Sequence, residues 1–365
     1  MAAGKWEAAE VTTGRISGYL RRRGHYGEIV RLNRELLELN IPNSIQTGPA
    51  ARIGQAYLDQ EDYKRAEKWY ERALQISPEP ASYLGLGLSL MHQEKFDLAS
   101  SNLNKAYDAY RQANDLSRQM EALSSLAAID MKKGETKAAL EKMESIAGIM
   151  RQLGDLPGEA QALQETARLD MMLSNFDSAR SRLQRSLELL QSSHDPRGAA
   201  FALFNLASLD LERGDFQAAA EEYARALPLF REMEDRATVS AIRHSQGLIQ
   251  AQAGEKELAI SSFKEALAIN QDLGDKAAEA GSFFQLGALA VLQDRMEVGL
   301  RLMATAAVVL RSIKSDDVKN VEPLVERLAS QLNYSQEQFM VMVQEVLKGY
   351  ARDRGWGLVE RASGK

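Results

Sequence analysis

Small residues recur along this chain in three parallel columns that hold one register from residue 54 to residue 306. The first column is Gly54, Gly87, Ala127, Ala167, Ala207, Gly247 and Gly287, spaced by 33 and then five times by 40. Twelve residues later comes a second: Ala66, Ala99, Ala139, Ala179, Ala219, Ala259 and Gly299. Seven beyond that lies a third: Ala73, Ala106, Ile146, Ser186, Ala226, Ala266 and Ala306. Ile146 is the one departure from Gly, Ala or Ser. Helices approach closely only where side chains are small. A sequence period of this length is the mark of stacked repeats, each unit too small to bury its own apolar face.

Segment 51–73 reads as two amphipathic helical stretches joined by a polar turn, and the template returns in each repeat. Gly134, Gly214 and Gly254 stand between paired helices, where a left-handed helix end suits glycine. Between repeats an aspartate returns every 40 residues, at Asp115, Asp155, Asp195, Asp235 and Asp275, as an N-cap for the next helix. The third column lies 14 residues before the next repeat at Ala73–Gly87 but 21 before it at Ala106–Ala127. The seven added residues therefore lengthen the end of one helix and the start of the next, by roughly a turn each.

Composition narrows the function classes. The chain has 365 residues, a formal charge of −6 and no cysteine. Length alone suggests two or three domains. The missing cysteines exclude a disulfide scaffold, a thiol nucleophile and Cys-based metal sites. Net negative charge argues against a nucleic-acid partner. No window is apolar for long enough to span a membrane, and the N-terminus has no signal-like core, so a cytoplasmic protein without membrane insertion is expected. The four histidines, His25, His92, His194 and His244, lie in different repeats without a metal-binding spacing, and no phosphate-binding glycine signature occurs. No enzyme activity, cofactor, metal or catalytic residue is expected. Arg21-Arg22-Arg23 reads as a solvated helix end, with a contact for phosphate or an acidic peptide as the alternative.

Residues 47–80 carry Gly54, Tyr57, Ala66, Tyr70, Ala73 and Pro78, and in this they resemble the tetratricopeptide repeat. The 40-residue units, with Leu-Gly-Asp at 153–155 and 273–275, are similar to the longer variant of kinesin light chains and of Leu-Gly-Asn adaptors. The resemblance covers residues 47–315. It implies an all-α, right-handed superhelical solenoid of helix–turn–helix repeats whose main work is protein–protein contact. The expected organisation is a tail at 1–9, a degenerate first repeat or N-terminal cap at 10–46, seven repeats at 47–315, capping helices at 316–348 and a tail at 349–365. Within the cap, a helix from Glu322 to Leu332 and another N-capped by Ser335, with Gln338 in capping-box spacing, are expected.

The resemblance further implies that the first helix of each pair lines a concave face. The stripe three before, one after and four after the first column then points inward. Its partner-binding candidates are Leu84, Leu88, Met91, Met131, Arg168, Met171, Phe204, Leu211, His244 and Phe284, with Phe201 one turn earlier and Asn205 beside it. The stripe is largely apolar, and methionine suits an adaptable surface. It reads either as a groove for a partner peptide or amphipathic helix, or as side chains that the packing itself buries. Of the asparagines that contact peptide in the longer-repeat adaptors only Asn205 is matched, and the Lys/Asn/Arg clamp of co-chaperones is missing. The leading expectation is an interaction scaffold or adaptor with a protein or peptide partner. The alternatives are a homo-oligomer that self-associates through the stripe or through the Phe339–Leu347 helix, and a sensor of peptide or ligand acting on a separate effector.

Overall fold

A computed structural model describes residues 2–39 and 41–362, and side chains from residue 5 onward. Met1, Asn40 and residues 363–365 fall in the expected N-terminal tail, first repeat and C-terminal tail, and lie outside the described residues. Among the described residues there are nineteen helices and no strand. The contacts divide the chain into two compact units, Met1–Leu189 and Leu190–Lys365.

The first unit contains α1 (Ala2–Arg22), α2 (Tyr26–Glu38), α3 (Asn43–Asp59), α4 (Tyr63–Ile76), α5 (Pro80–His92), α6 (Phe96–Gln112), α7 (Leu116–Lys133), α8 (Thr136–Leu153) and α9 (Leu156–Met172). Most of α10 (Phe176–Ser192) follows in the same unit. In the second lie α11 (Pro196–Arg213), α12 (Phe216–Glu232), α13 (Arg236–Gln252), α14 (Lys256–Leu273), α15 (Lys276–Val291), α16 (Met296–Ser312), α17 (Val318–Gln331), α18 (Gln336–Asp353) and α19 (Trp356–Ala362). Within each unit consecutive helices pack on one another, which makes an all-α repeat solenoid.

The small columns are the lines of closest approach. Ala66, Ala99, Ala139, Ala179, Ala219 and Ala259 are wholly buried. A Cβ added at Gly247 would lie 2.7 Å from the Phe263 ring, and one at Gly287 only 3.0 Å from the Gly299 carbonyl oxygen. The five aspartates cap as expected. Each accepts a bond from the backbone N–H three residues on: 3.1 Å for Asp115, 3.0 Å for Asp155, 2.9 Å for Asp195, 3.1 Å for Asp235 and 3.0 Å for Asp275. Such a cap is worth about 1 kcal/mol. Gly134, Gly214 and Gly254 take φ of 77°, 77° and 79°, the left-handed helix end.

The ends are more helical than their sequence pattern suggested. The segment expected as a tail at 1–9 is helical from Ala2. Its alanines favour helix, and Glu10 ties α1 to Arg52 of α3 at 2.7 Å. In the first pair, Asn33 stands where Tyr70 stands in the next and donates to buried Ser17 at 2.9 Å. α17 begins at Val318, four residues earlier than expected, because Val318 and Val321 pack on the core, and Pro323 is carried inside the helix. α18 has its capping box at Ser335 and Gln338.

Residues 349–362, expected as an unpatterned tail, extend α18 and then form α19. Gly355, at φ 85°, turns the chain so closely over Phe283 that a Cβ would lie 2.7 Å from that ring. Trp356 Nε1 then donates to Gln271 Oε1 at 2.9 Å, and Val359 and Ala362 are buried against the second unit's core.

Candidate partner-binding site

The first helix of each pair carries the candidate stripe, so its surroundings are set by the helical neighbours on either side. In the first unit Leu88 and Met91 on α5 are half-buried against a core built from Tyr70, Leu90, Leu103 and Leu126. Met131 on α7 packs on Ala127, Ala139 and Leu169, and Met171 on α9 is half-buried as well. Arg168 is exposed and pairs with Glu165 one turn away at 3.1 Å. Leu84 does not belong to the surface: it is 3 % exposed and lies in the core. Gly85 beside it sits against the Tyr70 ring, 2.1 Å from where a Cβ would be, and this close seating of α5 carries Leu84 inward.

Under this stripe the first-unit helices are pinned by buried charge. Asp130 meets Lys142 at 2.5 Å, and Asp170, 1 % exposed, meets Arg182 at 2.7 Å. Arg182 also pairs with Glu144. Breaking one partner of such a pair leaves an uncompensated buried charge, so these aspartates hold the helix pairs in register.

The second unit places Phe201, Phe204, Asn205 and Leu211 on α11, all half-buried. The two phenylalanines are as much packing as surface. Phe201 meets Phe230 edge-on at 4.9 Å, and Phe204 meets Tyr223 at 6.0 Å and Phe230 at 6.1 Å. Phe284 on α15 packs between two core clusters with part of its ring exposed. His244 on α13 stands edge-on to Phe263 at 5.2 Å, and burial pushes its imidazole below the ordinary histidine range, towards the neutral form.

His244 opens onto a cleft of 370 Å³ bounded by α13, the end of α14 and the start of α15. Asn270, Ser240 and Ala241 line it too, and none of them was a candidate from the sequence. A signal existed. Tyr110, Met150, Leu190, Phe230 and Leu310 occupy the places equivalent to residue 270, so an asparagine there breaks an apolar column. Among the described residues no group of three or more His, Cys, Asp and Glu is placed to hold a metal ion, and no helix is long and apolar enough to cross a membrane.

Paired helices stacked through small-residue columns, with a half-buried apolar stripe on the first helix, define a scaffold for protein interaction. Family models described as tetratricopeptide repeat match residues 51–80, 159–232 and 198–272. Over these residues the chain is a tetratricopeptide-repeat protein. A model described as anaphase-promoting complex subunit 5 matches residues 86–170. No curated protein matches the chain.

Among solved structures, a signal-transduction ATPase with a tetratricopeptide-repeat sensor from Pyrococcus horikoshii is similar at 17 % identity and a TM-score of 0.57. That likeness covers 77 % of this chain and 44 % of the other, so the chain spans less than half of that protein. The C-terminal part of a repeat protein from Cytophaga hutchinsonii is similar at 14 % identity and a TM-score of 0.56, covering 71 % and 95 %. At these identities the likeness is one of fold.

Proposed function

We propose that this chain is a non-catalytic scaffold that holds a partner peptide or amphipathic helix against the first helices of its repeats. The observation that carries this reading is the half-burial of Met91, Met131 and Met171 at equivalent places in three successive repeats of the first unit. Side chains at a pure packing position close over completely, as Leu126 and Leu169 do at 2 % exposure. Apolar groups left half in water gain by being covered, roughly 25 cal/mol per Å² before ordering costs. Methionines adapt to partners of differing shape.

The test is selection of peptides from a displayed random library on the whole chain. Binders are expected to lose about tenfold or more in affinity to a Met131→Glu, Met171→Glu variant whose helical circular dichroism is unchanged. A library that yields no binder, or binders indifferent to both substitutions, would overturn the reading.

Self-association is the second reading, and α18 is what favours it. Met340 and Val341 are 56 % and 54 % exposed, beside an apolar groove lined by Val308, Phe339, Val343 and Leu347. Burial of that face between copies would give a dimer. Light scattering over a hundredfold concentration range decides it: a mass that stays at one chain's 40.5 kDa removes the dimer.

A further inference from the structure

The repeat register allows each helical pair to be compared with the next, residue by residue, and in the second unit one comparison stands out. Around α11 and α12, three aromatic rings fill the seam, with Phe201 and Phe204 each edge-on to Phe230. Forty residues on, the same three places hold Ala241, His244 and Asn270. Ring volume is withdrawn there and polar groups stand in its place. The result is the cleft of 370 Å³, kept open on its far wall by Gly281, where a Cβ would meet His244 Cε1 at 3.8 Å.

Were this only a polar substitution absorbed by the core, the amide of Asn270 would be satisfied by its neighbours. Half of it is. Ser240 Oγ bonds to Asn270 Oδ1 at 2.5 Å and to the Ala266 carbonyl at 3.1 Å. The side-chain nitrogen of Asn270 has no acceptor among the described residues, although the residue is 4 % exposed and lines the cleft. That nitrogen is not closed off from water, and so stands as a donor that an occupant of the cleft can meet. The imidazole of His244 likewise makes no hydrogen bond among the described residues. Held neutral by burial, it offers one N–H and one acceptor nitrogen to the same space.

We propose that this cleft takes an uncharged amide side chain, asparagine or glutamine, of a bound peptide. The amide carbonyl accepts from Asn270 Nδ2, and the amide N–H donates to the free imidazole nitrogen of His244. A carboxylate or phosphate would meet Asp275, which lines the same cleft and whose carboxylate caps α15 through Ala278 at 3.0 Å. An apolar side chain would leave the Asn270 donor unmet. The inference rests on the peptide-binding reading above and assigns one subsite within it.

The experiment follows the four histidine ring signals of the full chain by carbon–proton NMR while capped amino acids, N-acetyl and N′-methylamide, are added. Glutamine or asparagine is expected to shift the His244 signal saturably and to leave those of His25, His92 and His194 in place. Leucine and glutamate in the same form are expected to bind at least about tenfold more weakly, the discrimination of a site built around a hydrogen bond. Asn270→Leu, which installs the residue found at position 310, and Ala241→Phe, which installs the one found at 201, should each abolish the shift. No saturable shift, equal binding of leucine, or binding retained by Asn270→Leu would overturn the proposal. Library-selected peptides that bind Ala241→Phe as tightly as wild type would overturn the cleft and leave the scaffold intact. Failure of the library with success of the capped amide would do the reverse.

Discussion

Ser240 donates its hydroxyl to the Asn270 amide oxygen at 2.5 Å, one residue before the place where the preceding helical pair sets Phe201 edge-on against Phe230. One repeat fills its seam with rings; the next holds it open with a hydrogen bond. That difference has a consequence for stability as well as for binding.

Asn270→Leu should stabilise the second unit. The substitution adds apolar volume at a place where the neighbouring repeats carry Phe230 and Leu310, for a gain of about 1 kcal/mol. Urea unfolding followed by circular dichroism measures it. A lowered midpoint would mean that the asparagine is structural.

His244 should make stability depend on pH. Burial lowers its folded pKa beneath the ordinary histidine value of 6.5, so the folded state resists protonation more than the unfolded chain does. Its contribution is full above the unfolded value and is lost as pH falls from there through the lowered folded value. Compared with His244→Phe, which copies the residue at 204, wild type should weaken between neutral pH and mildly acidic pH. Parallel pH curves for the two proteins would refute this.

Gly247→Val should destabilise by about 1–3 kcal/mol, because the new side chain must enter where the Phe263 ring stands 2.7 Å from the Cβ position. Chemical denaturation reads the loss. Amides of α13 and α14 should show it first in hydrogen exchange, since a repeat touches only its neighbours.

His194→Gly should raise stability by about 0.5–1 kcal/mol. His194 holds φ at 57° in the turn where Gly154 and Gly274 stand at 70° and 72°. A side chain there crowds the backbone, and glycine relieves it. If the melting midpoint does not rise, His194 has a contact that offsets its backbone cost.

Much of the fold was legible because each signal was local. Ala139 and Ala219 report helix contact by size alone, and Asp195 with Pro196 reports a helix start within two residues. The stripe was legible only as a direction. It placed Leu84 and Leu88 on one face, yet Gly85 against Tyr70 buries the first and leaves the second half-exposed. The terminal helices were the least legible. Trp356 and Val359 owe their places to Gln271 and to the core of α14–α16, far away in the chain.

By itself, then, the sequence determined the period, the helix pairs, their caps and the columns where helices touch, since all of these depend on residues within one repeat or its neighbour. Only the tertiary structure decided which apolar side chains remain in water, where the last helix lies, and that Ser240, His244, Asn270 and Gly281 surround one cleft. Each of those outcomes is a sum over side-chain volumes and hydrogen bonds contributed by several helices at once, and no single periodic column carries that sum.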